Sequence, residues 1–209
     1  MQLWTDWLTL AGICLLGAMS PGPSLAVIVR HSVHGGRREG IIAAWAHGAG
    51  IGLYALLSVL GIAALLLAAP GLLWGLQLGG ALFLLYLAWQ AGRCALRATV
   101  QATEVGSSGR RAALDGFLMA FLNPKTGLFF IALFSQFVVA GQSLLSKGGM
   151  ALVALVIDAL WYTLVALLLS TALARQRFLD FRRYLEGLFA LLLAALALRM
   201  LWVLIFASI

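Results

Sequence analysis

The sequence predicts an all-α integral membrane protein of six transmembrane helices, laid out as two inverted three-helix repeats with proline-broken first and fourth helices. Three observations predict it. Of the residues, 63% are apolar and 10% charged, with a mean hydropathy of +1.03; soluble domains hold about 45–50% apolar and about 25% charged residues. A chain this size cannot hide so much apolar surface in one aqueous core. Charge-sparse runs recur at membrane-crossing length. The opening run of each half also carries a small polar residue directly before a proline.

The runs lie at 5–29, 41–69, 74–92, 116–138, 150–173 and 185–206. Each is near or above the roughly 20 apolar residues that cross about 30 Å of hydrocarbon, and backbone in lipid must bond to itself, so they are read as helices. The first lacks the basic start and cleavage site of a secretory signal and is expected to remain as a span. It contains SPGPS, Ser20 to Ser24, where two prolines remove backbone donors and crowd the preceding turn. The second run holds His47 and Gly48, Gly50 and Gly52; the third holds Gly75 and Gly79. Such small-residue spacing lets helices approach closely, within the fold or in a homodimer. The fourth carries NPK at Asn123 to Lys125, the fifth VIDALWY with Asp158, Trp161 and Tyr162, and the sixth Arg199. Trp4, Trp7 and Trp202, near run ends, fit an interfacial aromatic belt.

Orientation follows from the gaps. Arg30, Arg37 and Arg38 lie in or beside the first, Arg93, Arg97, Arg110 and Arg111 in the third, and Arg175, Arg177, Arg182 and Arg183 in the fifth; the outer gaps hold only Lys147. The positive-inside bias puts the first, third and fifth gaps in the cytoplasm and both termini outside. Basic loops against lipid headgroups also account for the +7 net charge without nucleic acid. The third gap, with GSSG at 106–109, reads as a cytoplasmic linker, 93–115, between halves 1–92 and 116–209.

AMSPGPSLAVIV from Ala18 and AFLNPKTGLFFI from Ala120 occupy equivalent places in the two halves. With three spans per half, the second half enters from the opposite side, the inverted-repeat plan in which sites form where broken helices meet. Pro21, Pro23 and Pro124 leave the carbonyls of Gly17, Met19 and Ala120 without their usual donors. Ser20, Gly22 and Asn123, each before a proline, are expected hinges; Ser20 and Asn123 are expected N-caps, with Pro21 and Pro124 at the first helical position. Converging helix N-termini favour a carboxylate and freed carbonyls an ammonium, so the pair of breaks suits a zwitterion. Ionisable side chains at membrane depth mark ion or substrate paths. Lys125 and Asp158 stand at comparable depth, where they either pair or face a cavity; Asp158 is the candidate for reversible protonation. His47 is read as a second coupling residue or a hydrogen-bonded core group, Arg199 as snorkelling outward, and Trp161 and Tyr162 as walls beside Asp158.

With SPGPS in the first run, NPKTGLFF in the fourth and DALWY in the fifth, the chain resembles the LysE/RhtB family of bacterial amino-acid exporters over essentially its whole length. The resemblance implies export of amino acids or related small metabolites across the bacterial inner membrane, driven by protons. It also implies motif positions Pro21, Gly22, Pro23, Asn123, Pro124 and Lys125. With a single intramembrane acid opposite Lys125, neutral zwitterions are favoured over lysine or arginine. Two alternatives stand beside this reading. Divalent-metal export would draw on His31, His34 and Glu39, though these lie in a basic gap away from the midplane. A thiol–disulfide electron carrier needs a cysteine at each break; Cys14 lies seven residues before Pro21 and Cys94 at a span end, and both read as apolar fillers. No catalytic constellation, cofactor motif or metal-ligand spacing stands out, so neither an enzyme nor a cofactor is expected.

Overall fold

The computed structural model describes residues 4–20, 22–68, 70–95, 109–139, 141–168 and 172–206. Among them the chain forms eight helices and no strand: α1 Trp4–Met19, α2 Pro23–His34, α3 Gly36–Ala68, α4 Pro70–Ala95, α5 Gly109–Phe121, α6 Pro124–Phe134, α7 Leu144–Leu168 and α8 Ala172–Phe206. The all-α class is as expected. α3 and α7 are each long and apolar enough to cross a membrane; α1 with α2, and α5 with α6, are bent pairs that each reach the same length. The bends are 64° and 53°, both at the proline positions.

Two gaps that read as loops are largely helical. α2 runs to His34 and α3 restarts at Gly36, which at φ +81° takes a backbone conformation that a side chain would strain. α8 begins at Ala172 and carries the basic stretch around Arg175 to Arg183, rich in Leu, Arg, Gln and Ala, all good helix formers. Of the linker expected at 93–115, residues 96–108 lie outside the described residues, including most of GSSG; from Gly109 onward it is already α5.

α3 is the central strut. It packs most extensively on α7 and α5 and also touches α2 and α6, while α4 and α8 form a second tight pair joined to α6. Its glycines set these distances. A methyl on Gly48 would sit 2.8 Å from the Ala159 side chain and 3.0 Å from the Leu155 carbonyl of α7; one on Gly50 would sit 2.9 Å from the Phe117 carbonyl of α5. Both are too close for any larger residue, so the small-residue run is consumed in packing. Gly75 and Gly79, in contrast, meet nothing within 4 Å and lie open on α4. The outer faces carry exposed large apolar side chains such as Leu57, Trp74, Leu152 and Trp202, as lipid contact requires.

Two buried apolar clusters result. One joins α1, α3, α4, α6, α7 and α8 and the end of α5 at Ala120 through residues such as Leu10, Ile51, Leu84, Phe134 and Met200; the other joins α2, α3, α5 and α7 through Leu25, Ile28, Ala44, Ala112 and Val165. The two helix breaks fall between them.

Candidate functional site

At the first break the Ser20 N–H donates to the carbonyls of Leu16 (3.1 Å) and Gly17 (3.2 Å), closing α1. The Gly17 carbonyl, expected to be left open by Pro21, is thereby satisfied. α2 opens at Pro23, capped by Gly22 in extended backbone (φ −167°, ψ −168°) without any side-chain hydrogen bond. Ser20 is therefore not the N-cap. The reason is the second proline: it forces the residue before it out of the helical region, which delays the helix start to Pro23. Pro21 itself lies outside the described residues. At the second break Asn123 is the N-cap, its Oδ1 accepting from the Lys125 N–H at 3.0 Å with Pro124 at the first helical position.

Between the two breaks lies a cavity with about 70 Å³ open to a water-sized molecule, several times the roughly 10–15 Å³ that one water needs. α2 contributes Pro23 and Ser24 with Gly22 and Ser20 before them, and α6 contributes Lys125 and Thr126 after Asn123. α3 brings His47 and Ile51, and α7 brings Asp158 and Tyr162 one helical turn apart. Cys14, Ile51, Phe129, Phe130 and Ala154 of the larger apolar cluster close one side, and Tyr162 of the smaller cluster the other. Of the residues picked from sequence, Ser20, Gly22, Pro23, Asn123, Lys125, Tyr162, Asp158 and His47 all line this space.

Trp161 does not. It sits half-buried against the smaller cluster around Leu25 and Ile28: at i+3 from Asp158 it shares that side of α7, but its ring is taken up by the packing against that cluster. Arg199 is exposed on α8, in line with snorkelling.

The polar groups divide into two sides. Lys125 Nζ lies 3.3 Å from Ser20 Oγ and so ties α6 to the first break. Asp158 is hydrogen-bonded instead to His47, Oδ2 to Nδ1 at 2.6 Å, with both side chains buried. With Asp158 ionised and the imidazole neutral, Nδ1 is the donor and the opposite ring nitrogen, Nε2, is an acceptor. That Nε2 is buried with no hydrogen-bond partner among the described residues. The Tyr162 ring meets the imidazole edge-on, centroids 4.9 Å apart, and lines the cavity together with Ser24. A cationic side (Lys125 and the starts of α2 and α6) thus faces an anionic one (Asp158 with His47).

Sequence reasoning missed Cys14, Ser24 and Thr126 as lining residues. Cys14, Gly17 and Ala18 share one face at i, i+3 and i+4, so helical periodicity carried that signal. The metal-ligand candidates are otherwise engaged: His31 Nε2 lies 3.0 Å from Asp115 Oδ2, and His34 Nδ1 donates to the Arg30 carbonyl at 3.0 Å. Among the described residues no three His, Cys, Asp or Glu side chains converge.

The LysE type translocator family signature matches residues 15–203. The chain belongs to that family. This translocator is also similar to the threonine efflux protein of Escherichia coli K12, 26% identical over 199 residues that cover 93% of this chain and 96% of the relative. The Salmonella typhi threonine efflux protein is 25% identical over 197 residues, covering 92% and 95%. An uncharacterised membrane protein of Pseudomonas aeruginosa is 35% identical over 151 residues, 68% of this chain and 66% of its own. No solved structure matches at comparable significance. The chain is thus a membrane transporter, and its apolar outer faces fit that place.

Proposed function

We propose that this LysE type translocator exports neutral, zwitterionic amino acids such as threonine from the bacterial cytoplasm across the inner membrane, coupled to protons. One observation carries the reading: one cavity between the two proline breaks is lined both by an amine, Lys125, and by a carboxyl, Asp158. An amino acid's carboxylate would bind Lys125 and the start of α6, where helix N-termini favour negative charge. Its ammonium would bind Asp158 and donate to His47 Nε2, giving that orphaned acceptor a partner. Proton uptake by the Asp158–His47 pair would release the ammonium and couple the gradient to transport, the usual work of carboxyls and histidines at this depth.

The scaffold in this reading is two inverted halves of three spans, with α1–α2, α3 and α4 equivalent to α5–α6, α7 and α8. Contacts support it: α3 packs on α7 and α4 on α8, as equivalents do across a twofold axis, and α3 with α5 is matched by α7 with α1. α4 and α8, at 26 and 35 residues, would rise about 39 Å and about 52 Å and supply the remaining spans. Both termini would lie outside, so a cysteine at Thr5 or Lys147 should label from outside and one at Arg111 should not.

The test is release of a panel of amino acids from bacteria expressing the chain. Threonine and other neutral amino acids should leave the cells faster than from cells lacking it, with lysine, arginine and zinc unchanged. Selective release of a divalent metal with no amino acid would overturn the reading.

A further inference from the structure

Outside the central cavity one cluster of charged side chains joins the two halves. Arg30 of α2 is ion-paired with Asp115 of α5, and the buried His31 ring holds the same Asp115 Oδ2 at 3.0 Å through Nε2. The cluster stands at the end of an open groove of about 530 Å³ between these helices. Pro23, Val27 and Arg30 present one face of α2 to it, and Asp115, Leu118, Met119 and Leu122 one face of α5, both at helical spacing. At its inner end the groove shares Pro23 and Asn123 with the central cavity. From Pro23 to Arg30 is seven residues, or about 10 Å of helix rise. From the edge of the central cavity the groove runs to one cation and one anion.

We propose that Arg30 and Asp115 form a loading site for a zwitterionic amino acid on its way into the central cavity, Arg30 taking the carboxylate and Asp115 the ammonium. The proposal rests on the exporter reading above. In the empty protein the two side chains satisfy each other, and an amino acid offers each the same partner again. The exchange is inexpensive: the side chains are 24% and 30% exposed, so water reaches the pair and each group regains an opposite charge when an amino acid takes the partner's place. The planar guanidinium can take a carboxylate in a bidentate grip, while His31 keeps the Asp115 carboxylate aimed at the groove when Arg30 lets go. Apolar Val27, Leu118, Met119 and Leu122 leave the side chain little to read, so this site recognises the backbone groups common to amino acids. Arg37, Arg38, Arg110 and Arg111 lie exposed near the same helix ends, which by the positive-inside bias makes this the cytoplasmic mouth.

The experiment uses right-side-out membrane vesicles preloaded with labelled L-threonine, comparing wild type with Arg30→Gln and Asp115→Asn. Each variant should raise the internal threonine concentration for half-maximal efflux about tenfold or more, with the maximal rate within about twofold. Half-saturation by external threonine in exchange should not change, which also shows that the variants are folded. Unchanged internal half-saturation, or a loss confined to the maximal rate or shared equally by both sides, would make the pair a structural latch and overturn the loading site while leaving the exporter reading intact. Failure of wild type to move any neutral amino acid would overturn the exporter reading, and the loading site with it.

Discussion

The two helix breaks bend the chain by similar angles, 64° and 53°, yet they are built from different chemistry. At the second, Asn123 caps α6 with its own side chain, so the break is locally complete. At the first, Gly22 caps α2 with nothing but backbone, and Ser20 is turned to Lys125 of α6. A self-sufficient break and a dependent one therefore meet at one cavity. The second break is read as a fixed anchor, and the first as the side whose geometry is completed by its partner and by a bound molecule.

The largest effect should come from the group that belongs to neither break. Asp158→Asn keeps shape and hydrogen bonding to His47 but cannot release a proton, so export driven by a pH gradient should fall at least about a hundredfold. Exchange of labelled for unlabelled threonine should persist at saturating threonine, with its half-saturating concentration raised by loss of the carboxylate that holds the ammonium. Undiminished gradient-driven export by Asp158→Asn would remove Asp158 from coupling.

Lys125 bridges the breaks, so Lys125→Met should weaken threonine affinity by about tenfold to a hundredfold, consistent with loss of a charge-assisted contact. Equilibrium binding to the purified variant measures it; wild-type affinity would leave the cationic side without a role.

The asymmetry itself is tested by two small changes. Asn123→Ala removes a cap and should cost about 1 kcal/mol of stability, read as a lower midpoint in thermal unfolding in detergent. Ser20→Ala removes no cap and should leave that midpoint in place while weakening threonine binding a few-fold. A stability loss at Ser20 equal to that at Asn123 would make the two breaks alike.

Much of this was legible in the sequence because hydropathy and proline act locally. The helices follow the apolar runs, both bends fall at the prolines, and the cap at Asn123 needs only the residues beside it. What was not legible depends on two elements at once. Lys125 and Asp158 read from the sequence as a pair at one depth, whereas their hydrogen bonds to Ser20 and His47 arise only from the packing of α6 on the first break and of α3 on α7. Asp115 read as the end of a linker, since nothing near it in sequence points to Arg30, 85 residues away. Trp161 has the spacing of a residue on the Asp158 side of α7, and only the cluster formed with α2 takes its ring away from the cavity.

The central claim, that two breaks make one binding site, is tested most directly by equilibrium binding of L-threonine to four purified proteins. These are the wild type, Pro21→Ala with Pro23→Ala, Pro124→Ala, and all three changes combined. Restoring a continuous helix satisfies the backbone in lipid, so each variant should remain folded. Each break repaired alone should lose about tenfold or more in affinity, and the combined protein should lose little beyond that, the non-additivity of groups that act together. Losses that multiply, or full affinity in protein with both breaks repaired, would contradict the account.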